Sequence, residues 1–165
     1  METEEIKSLI ESTIQECTVE IIEGNLIPTL TVSAEKIEQV AQLLYTHKDL
    51  YYDLLSNITA VDNGIEEGTL EVIYNLYSIP FNKQLMVKVV LSRNENNEQL
   101  PEIPSVSSVW KAANWHEREA FDLMGIQFTN HPDHRRILLP TDWVGYPLRK
   151  DYTDQEKYHG VKVKY

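Results

Sequence analysis

Apolar positions recur along this chain with two different periods, and the changes of period mark its elements. In residues 4–16, EEIKSLIESTIQE, the apolar Ile6, Leu9, Ile10 and Ile14 share one helical face. Thr3 is the expected N-cap, and Glu4 and Glu5 suit the positive end of the helix dipole. TVEII (18–22) reads as a strand, Gly24-Asn25 as a turn, and LIPTLTV (26–32) as a second strand in which Pro28 favours an edge position. Ser33 is placed to cap a helix over 34–47 whose buried stripe is Ile37, Val40, Ala41 and Leu44. Three strands follow, 54–62, 69–78 and 84–92, with NGIEEG and IPFNK as hairpin links. Helix, two strands, helix, three strands is the order of an α+β two-layer sandwich with its helices on one face of the sheet.

Residues 93–104 are polar and punctuated by proline, which predicts a loop. A helix is expected from Ser105 or Ser107 to Met124, with Gly125 as its left-handed C-terminal residue. From 126 onward the period stops. Pro132, Pro140, Pro147, Gly145 and Gly160 break the run, and aromatic residues follow no regular spacing. This divides the chain into an α+β domain, 1–125, and an extended, irregular C-terminal segment, 126–165, which is expected to dock on partners.

The helix carries charges in an informative order. Projected from Trp110, the residues Ala113, Ala120, Phe121 and Met124 form one stripe, and Glu117 falls inside it at about 340°. Arg118, Asp122 and Glu119 fall elsewhere, at about 80°, 120° and 180°. A carboxylate on a buried stripe must be paired, hydrogen-bonded or protonated. The expected partners of Glu117 are the cations of the C-terminal segment: Arg135, Arg136, Arg149 and Lys150. Arg118 and Asp122 stand at i, i+4 and are expected to pair. Glu119 either finds an outside cation or stays solvated.

Charge narrows the partners. The 165 residues carry a formal charge of -11, which argues against nucleic acid or anionic lipid as a broad-surface partner. Residues 1–130 hold 8 Lys and Arg against 21 Asp and Glu, whereas residues 131–165 hold 7 against 5. The C-terminal segment is thus weakly basic on an acidic body. Cys17 is the single cysteine, so the chain alone supplies neither a disulfide nor the thiolates of an iron–sulfur cluster. METEEIK lacks the basic, apolar character of a signal peptide, and no run approaches a membrane span.

Self-sufficient catalysis finds little support. There is no G-x-S-x-G motif and no glycine-rich phosphate loop. His116-Glu117 lacks the second histidine of a zinc helix, because position 120 is Ala. His131 and His134, spaced H-x-x-H, could join His116 or Glu117 in a metal site, or be turn residues beside Pro132 and Asp133. PTDWVGYPLRKDY (140–152) brings Trp143, Tyr146, Arg149, Lys150, Asp151 and Tyr152 together, a composition suited to protein–protein contacts or to a strap across its own domain.

The spaced motif Glu117-Arg118-Glu119, Asp122-Leu123-Met124, His131, Arg135 and Ile137-Leu138 resembles the signature of the 30-kilodalton subunit, or C subunit, of respiratory complex I. ITAVD (58–62), IPSVSSVWKAANW (103–115) and the stretch 142–152 are similar to the same family. The resemblance implies a cofactor-free peripheral-arm subunit of a proton-translocating NADH–quinone oxidoreductase. It would pack beside the quinone-site D subunit and the iron–sulfur B and I subunits, with NADH, FMN, clusters and quinone held by partners. It would reach the cytoplasmic face of the bacterial inner membrane only through the complex. Its structural and interface residues would be Glu117, Arg118, Glu119, Asp122, His131, Arg135, Arg136, Trp143, Tyr146, Arg149, Lys150 and Asp151. The alternatives are a subunit of a related membrane-bound hydrogenase, or a small metal-dependent enzyme using His116, Glu117, His131 and His134.

Overall fold

The computed structural model describes residues 1–94 and 99–163. Helix α1 (Thr3–Thr13) leads into β1 (Val19–Ile22) and β2 (Thr29–Val32). A single 3-10 turn (Ala34–Lys36) precedes α2 (Ile37–Thr46), and β3 (Leu54–Gly64), β4 (Thr69–Ser78) and β5 (Lys83–Ser92) follow. The five strands form one mixed sheet in the order β1-β2-β5-β4-β3, with β2 and β5 parallel and the other neighbours antiparallel. This is the α+β fold that the order of elements predicts.

Strand alternation builds the core on one face. Ile58 stands opposite Tyr74 and Ala60 opposite Val72 across β3 and β4. Tyr74 meets Val87, Val72 meets Val89 and Leu70 meets Leu91 across β4 and β5. Ile37, Val40, Ala41 and Leu44 of α2 lie with Trp110 against Tyr74, Leu76 and Val87. Each such apolar side chain removed from water contributes on the order of 1.5–3 kcal/mol. On the other face Lys88 pairs with Glu71 at 3.1 Å, and Val90 is exposed.

Several local expectations change. The N-cap of α1 is Glu2, not Thr3, because Glu5 reaches back to accept the Glu2 amide at 2.8 Å. Pro28 is not within an edge strand. It lies just before β2, which is internal, and its carbonyl accepts the Met86 amide. Ser33 precedes the 3-10 turn without a side-chain capping bond, and α2 begins four residues later. The expected loop 93–104 is strand at its end, β6 (Glu102–Pro104), and residues 95–98 of it lie outside the described residues.

Helix α3 (Ala113–Met124) starts later than Ser105 or Ser107, since 106–112 form two successive turns, the first closed on the Val106 carbonyl and the second on that of Trp110. Strand β7 (Gln127–Thr129) follows it and pairs in parallel with β6, so α3 is the crossover of a small β–α–β unit. Ile103, Ile126 and Phe128 are buried, which places the residues just after Gly125 in the core rather than in the irregular segment. A short hairpin, β8 (Lys157–Tyr158) and β9 (Val161–Lys162), lies near the C-terminus. No described helix is long and apolar enough to cross a membrane.

Candidate functional site

Helix α3 ends at Gly125, whose φ of 64° and ψ of 47° are left-handed. A Cβ there would stand 2.6 Å from the Tyr146 ring, so glycine is required by backbone and by space alike. Arg149 donates to the carbonyls of Met124 (2.7 Å) and Gly125 (3.1 Å). Its guanidinium thus satisfies carbonyls left open where the helix stops. Arg149 and Arg136 both lie over the Tyr146 ring, at 5.5 and 5.3 Å from its centre.

Asp122 is the main anchor of the C-terminal segment. One carboxylate oxygen accepts the amides of Ile137, Leu138 and Leu139 at 3.1, 2.7 and 2.8 Å. The other accepts Arg136 at 2.6 Å. Arg136 also donates to the carbonyls of Trp143 and Gly145, tying together three points of the segment. Burial alone would raise the Asp122 carboxyl, but the Leu139 amide, Arg136 and the amides of Leu138 and Ile137 hold it below the usual range.

Asp62 is a second anchor at the end of β3. It takes two hydrogen bonds from Arg93, at 3.0 and 3.2 Å, and the amides of Lys150 (2.8 Å) and Gly64 (2.9 Å). Arg93 also meets Asp151 at 2.5 Å. Burial again opposes ionisation, and Arg93 with the Lys150 and Gly64 amides outweighs it to hold Asp62 low. Asp62 closes the ITAVD stretch but is not among the expected interface residues, and Arg93 stands in none of the motifs. The signal was present: Asp62 continues the inward parity of Ile58 and Ala60, and Arg93 that of Val87, Val89 and Leu91.

Glu117 is fully buried, as its place on the stripe predicts, but no guanidinium among the described residues meets it. Its oxygens accept the Ser105 hydroxyl at 2.5 Å and the Val106 amide at 2.7 Å. The His131 Nε2 stands 3.7 Å away. That ring makes its hydrogen bonds elsewhere. Its Nδ1 accepts the Asp133 amide, so Nε2 carries the ring proton and donates it to the Asn114 carbonyl at 3.1 Å. Burial therefore prevails over the bonds from Ser105 and Val106, and pushes the Glu117 carboxyl up to about 7. The cations expected to reach it are occupied: Arg136 by Asp122, Arg149 by the helix end, Lys150 by Asn63, and Arg135 by Asp133 at the surface.

The i, i+4 pair does not form either. Arg118 turns away from Asp122 and donates to the carbonyls of Arg135 and Arg136, with Asp133 at 3.5 Å. Glu119 is exposed, without a hydrogen bond or ion pair among the described residues. Trp143 donates to Tyr152 and packs on Tyr158, inside the segment's own fold.

The four residues of the metal alternative do not converge. Both nitrogens of His131 are engaged, and His134 accepts the Phe128 amide while its ring packs on Phe121 at 4.2 Å. Burial and the neighbouring His131 lower the His134 pKa. His116 faces a different groove, beside Glu119. Among the described residues no group of three or more His, Cys, Asp or Glu could hold a metal ion. What the arrangement does is mechanical: two buried aspartates and their arginines fix a ribbon of irregular chain. The ribbon and α3 turn apolar side chains to solvent, with Leu138 62%, Val144 72%, Leu148 59% and Trp115 64% exposed.

A family model described as respiratory-chain NADH dehydrogenase, 30 Kd subunit, matches residues 30–158. The NADH-quinone oxidoreductase C subunit of Chloroherpeton thalassium is 45% identical over 142 residues, which are 85% of this chain and 56% of that protein. This chain therefore spans little more than half of that relative's length. The C subunit of Geobacter sulfurreducens is 47% identical over 137 residues, 80% of each chain. That of Moorella thermoacetica is 43% identical over 134 residues, 81% of this chain and 85% of the relative. Among solved structures, a chain of the membrane-bound sulfane sulfur reductase, an archaeal respiratory membrane complex, shares the fold with a TM-score of 0.66. It is 24% identical and covers 91% of this chain and 84% of its own.

Proposed function

We propose that this chain, which belongs to the 30-kilodalton subunit family of respiratory-chain NADH dehydrogenase, scaffolds the peripheral arm of a proton-translocating NADH–quinone oxidoreductase. It carries no cofactor and performs no chemistry of its own. Electrons pass from NADH through FMN and iron–sulfur clusters to quinone in partner subunits. This chain orders the surface against which the quinone-site D subunit and the iron–sulfur B and I subunits dock, at the cytoplasmic face of the membrane.

The observation that carries the reading is the direction of the charges. Asp62, Asp122, Arg93, Arg136 and Arg149 all bond within the chain, to the ribbon that they fix or to one another. Groups so engaged are poor catalysts and good struts. Among the side chains left for partners are three exposed apolar ones on the ribbon: Leu138, Val144 and Leu148.

The test is affinity purification of the tagged chain from detergent-solubilised membranes. Recovery of the iron–sulfur subunits with NADH-driven quinone reduction is expected, and recovery of the chain alone refutes the reading. Hydrogen-driven activity in the same preparation would move it to the hydrogenase setting. Leu138→Asp and Val144→Asp should lower the amount of assembled complex while leaving turnover per assembled complex unchanged. Full assembly with lost turnover points to direct chemistry instead.

A further inference from the structure

A groove of about 310 Å³ runs beside the line where α3 packs against β3. On the strand side it is lined by four consecutive residues, Asn57, Ile58, Thr59 and Ala60. Successive side chains of a strand point to opposite faces, so a groove touching all four runs along the strand's edge. β3 is indeed the last strand of the sheet, with no strand paired on its outer side among the described residues. The helix side is lined at three-and-four spacing by His116, Glu119 and Leu123. Leu148 of the ribbon lines the groove as well.

The edge is also shaped. Its pairing with β4 is irregular between Leu55 and Asn57 and between Asp62 and Gly64, leaving a regular run from Asn57 to Asp62. Irregularities of this kind discourage indiscriminate edge pairing. The Lys150 side chain, bonded to the Asn63 carbonyl, occupies the far end. What remains is a short regular edge facing a helix, with apolar Leu123 and Leu148 and the exposed carboxylate of Glu119.

We propose that this groove receives an extended segment of a partner subunit, which adds to the sheet as a strand along Asn57–Ala60. The inference rests on the assembly role above and names the kind of contact made. Backbone hydrogen bonds supply affinity, an apolar side chain enters beside Leu123 and Leu148, and a Lys or Arg of the segment meets Glu119. A second copy of this chain suits the groove poorly. Each copy carries a formal -11, and edge-to-edge pairing brings like charge against like.

The photo-reactive residue p-benzoylphenylalanine placed at exposed Thr59 tests this in the complex purified from membranes. The expected result is a covalent adduct with another subunit, whose cross-linked peptide contains a Lys or Arg. Glu119→Lys should lower recovered complex about fivefold near physiological salt, and Glu119→Gln less, since an exposed pair contributes up to about 1 kcal/mol and reversal adds repulsion. The isolated Glu119→Lys chain should keep its unfolding midpoint, because Glu119 bonds to none of the described residues. A complex that assembles without an adduct at Thr59, or with an adduct only to a second copy, overturns the edge site and leaves the assembly role standing. Assembly indifferent to Glu119→Lys overturns the charge match. A chain that co-purifies with no other subunit overturns both readings.

Discussion

Replacing Glu117 by Gln isolates the cost of a buried charge. The substitution keeps the shape of the side chain. Its amide oxygen still accepts the Val106 amide, and its NH2 donates to the Ser105 hydroxyl, which then turns to Ser107 at 2.7 Å. Only the ionisation is lost. The folded carboxyl holds its proton up to about pH 7, against 4.5 for an ordinary glutamate. The folded chain therefore binds more protons than the unfolded chain between these values, and its stability falls as pH rises through that window. The contribution is whole below pH 4.5 and lost above 7, a swing of about 3 kcal/mol. Urea unfolding of both proteins from pH 5 to 8 measures it. The stability of Glu117→Gln relative to the parent should improve by about 2–3 kcal/mol across that range. Glu117→Ala should be the least stable at every pH, since it strands the Val106 amide and leaves a void in the core, while the Ser105 hydroxyl keeps only Ser107. Parallel profiles for parent and Gln variant, within about 0.5 kcal/mol, refute the argument that desolvation dominates this site.

Asp122→Ala strands Arg136 and three amides and should cost about 3–5 kcal/mol, read as rapid proteolysis within 130–150 while the sheet persists. Asp122 and Asp62 shift opposite to Glu117: both are held below the usual 3.8, so the stability they provide is present above that value and lost as pH falls below it. The same proteolysis assay, run at falling pH with an acid-active protease, should release the ribbon before the core unfolds. Gly125→Ala meets both a left-handed backbone and the Tyr146 ring at 2.6 Å and should destabilise by more than about 2 kcal/mol in thermal unfolding. Gly68→Ala, with a φ of 63° but open space around it, should cost only about 1 kcal/mol by the same measurement.

The layers of the fold were legible because each is set by a local period. α1, α2 and the hairpins β3–β4 and β4–β5 lie where their apolar stripes and turns predict. Gly125 was legible as a helix end because a left-handed residue is needed there. Strands β6 and β7 were not, because three residues are too few to display a period. Their pairing is non-local, across an intervening helix. The burial of Glu117 followed from its place on the stripe, yet its partner did not. Periodicity says which way a side chain points, and only the tertiary fold decides what waits there. A serine and a main-chain amide from the turn before α3 wait there, and neither is distinctive in a sequence. For the same reason Arg118 looked like a partner for Asp122, when the carbonyls of Arg135 and Arg136 offered it a better-placed set of acceptors.

The way the ribbon is held bears on what it can present. Asp122 grips 137–139 through three main-chain amides, and Asp62 grips Lys150 through its amide. Anchoring through the backbone fixes the path of the chain without using the side chains at those positions. Leu138 is therefore free to stand 62% exposed while its own amide is bonded to Asp122. A loose segment with the same apolar residues would lose conformational freedom when a partner bound, at about 0.5–1.5 kcal/mol for each side chain immobilised and more for the backbone. Here the backbone part of that ordering is already done within the chain, at the expense of burying two aspartates with their arginines. In the assembly role proposed above, the charged cluster and the apolar surface act as one device: the first holds the ribbon still so that the second can be recognised.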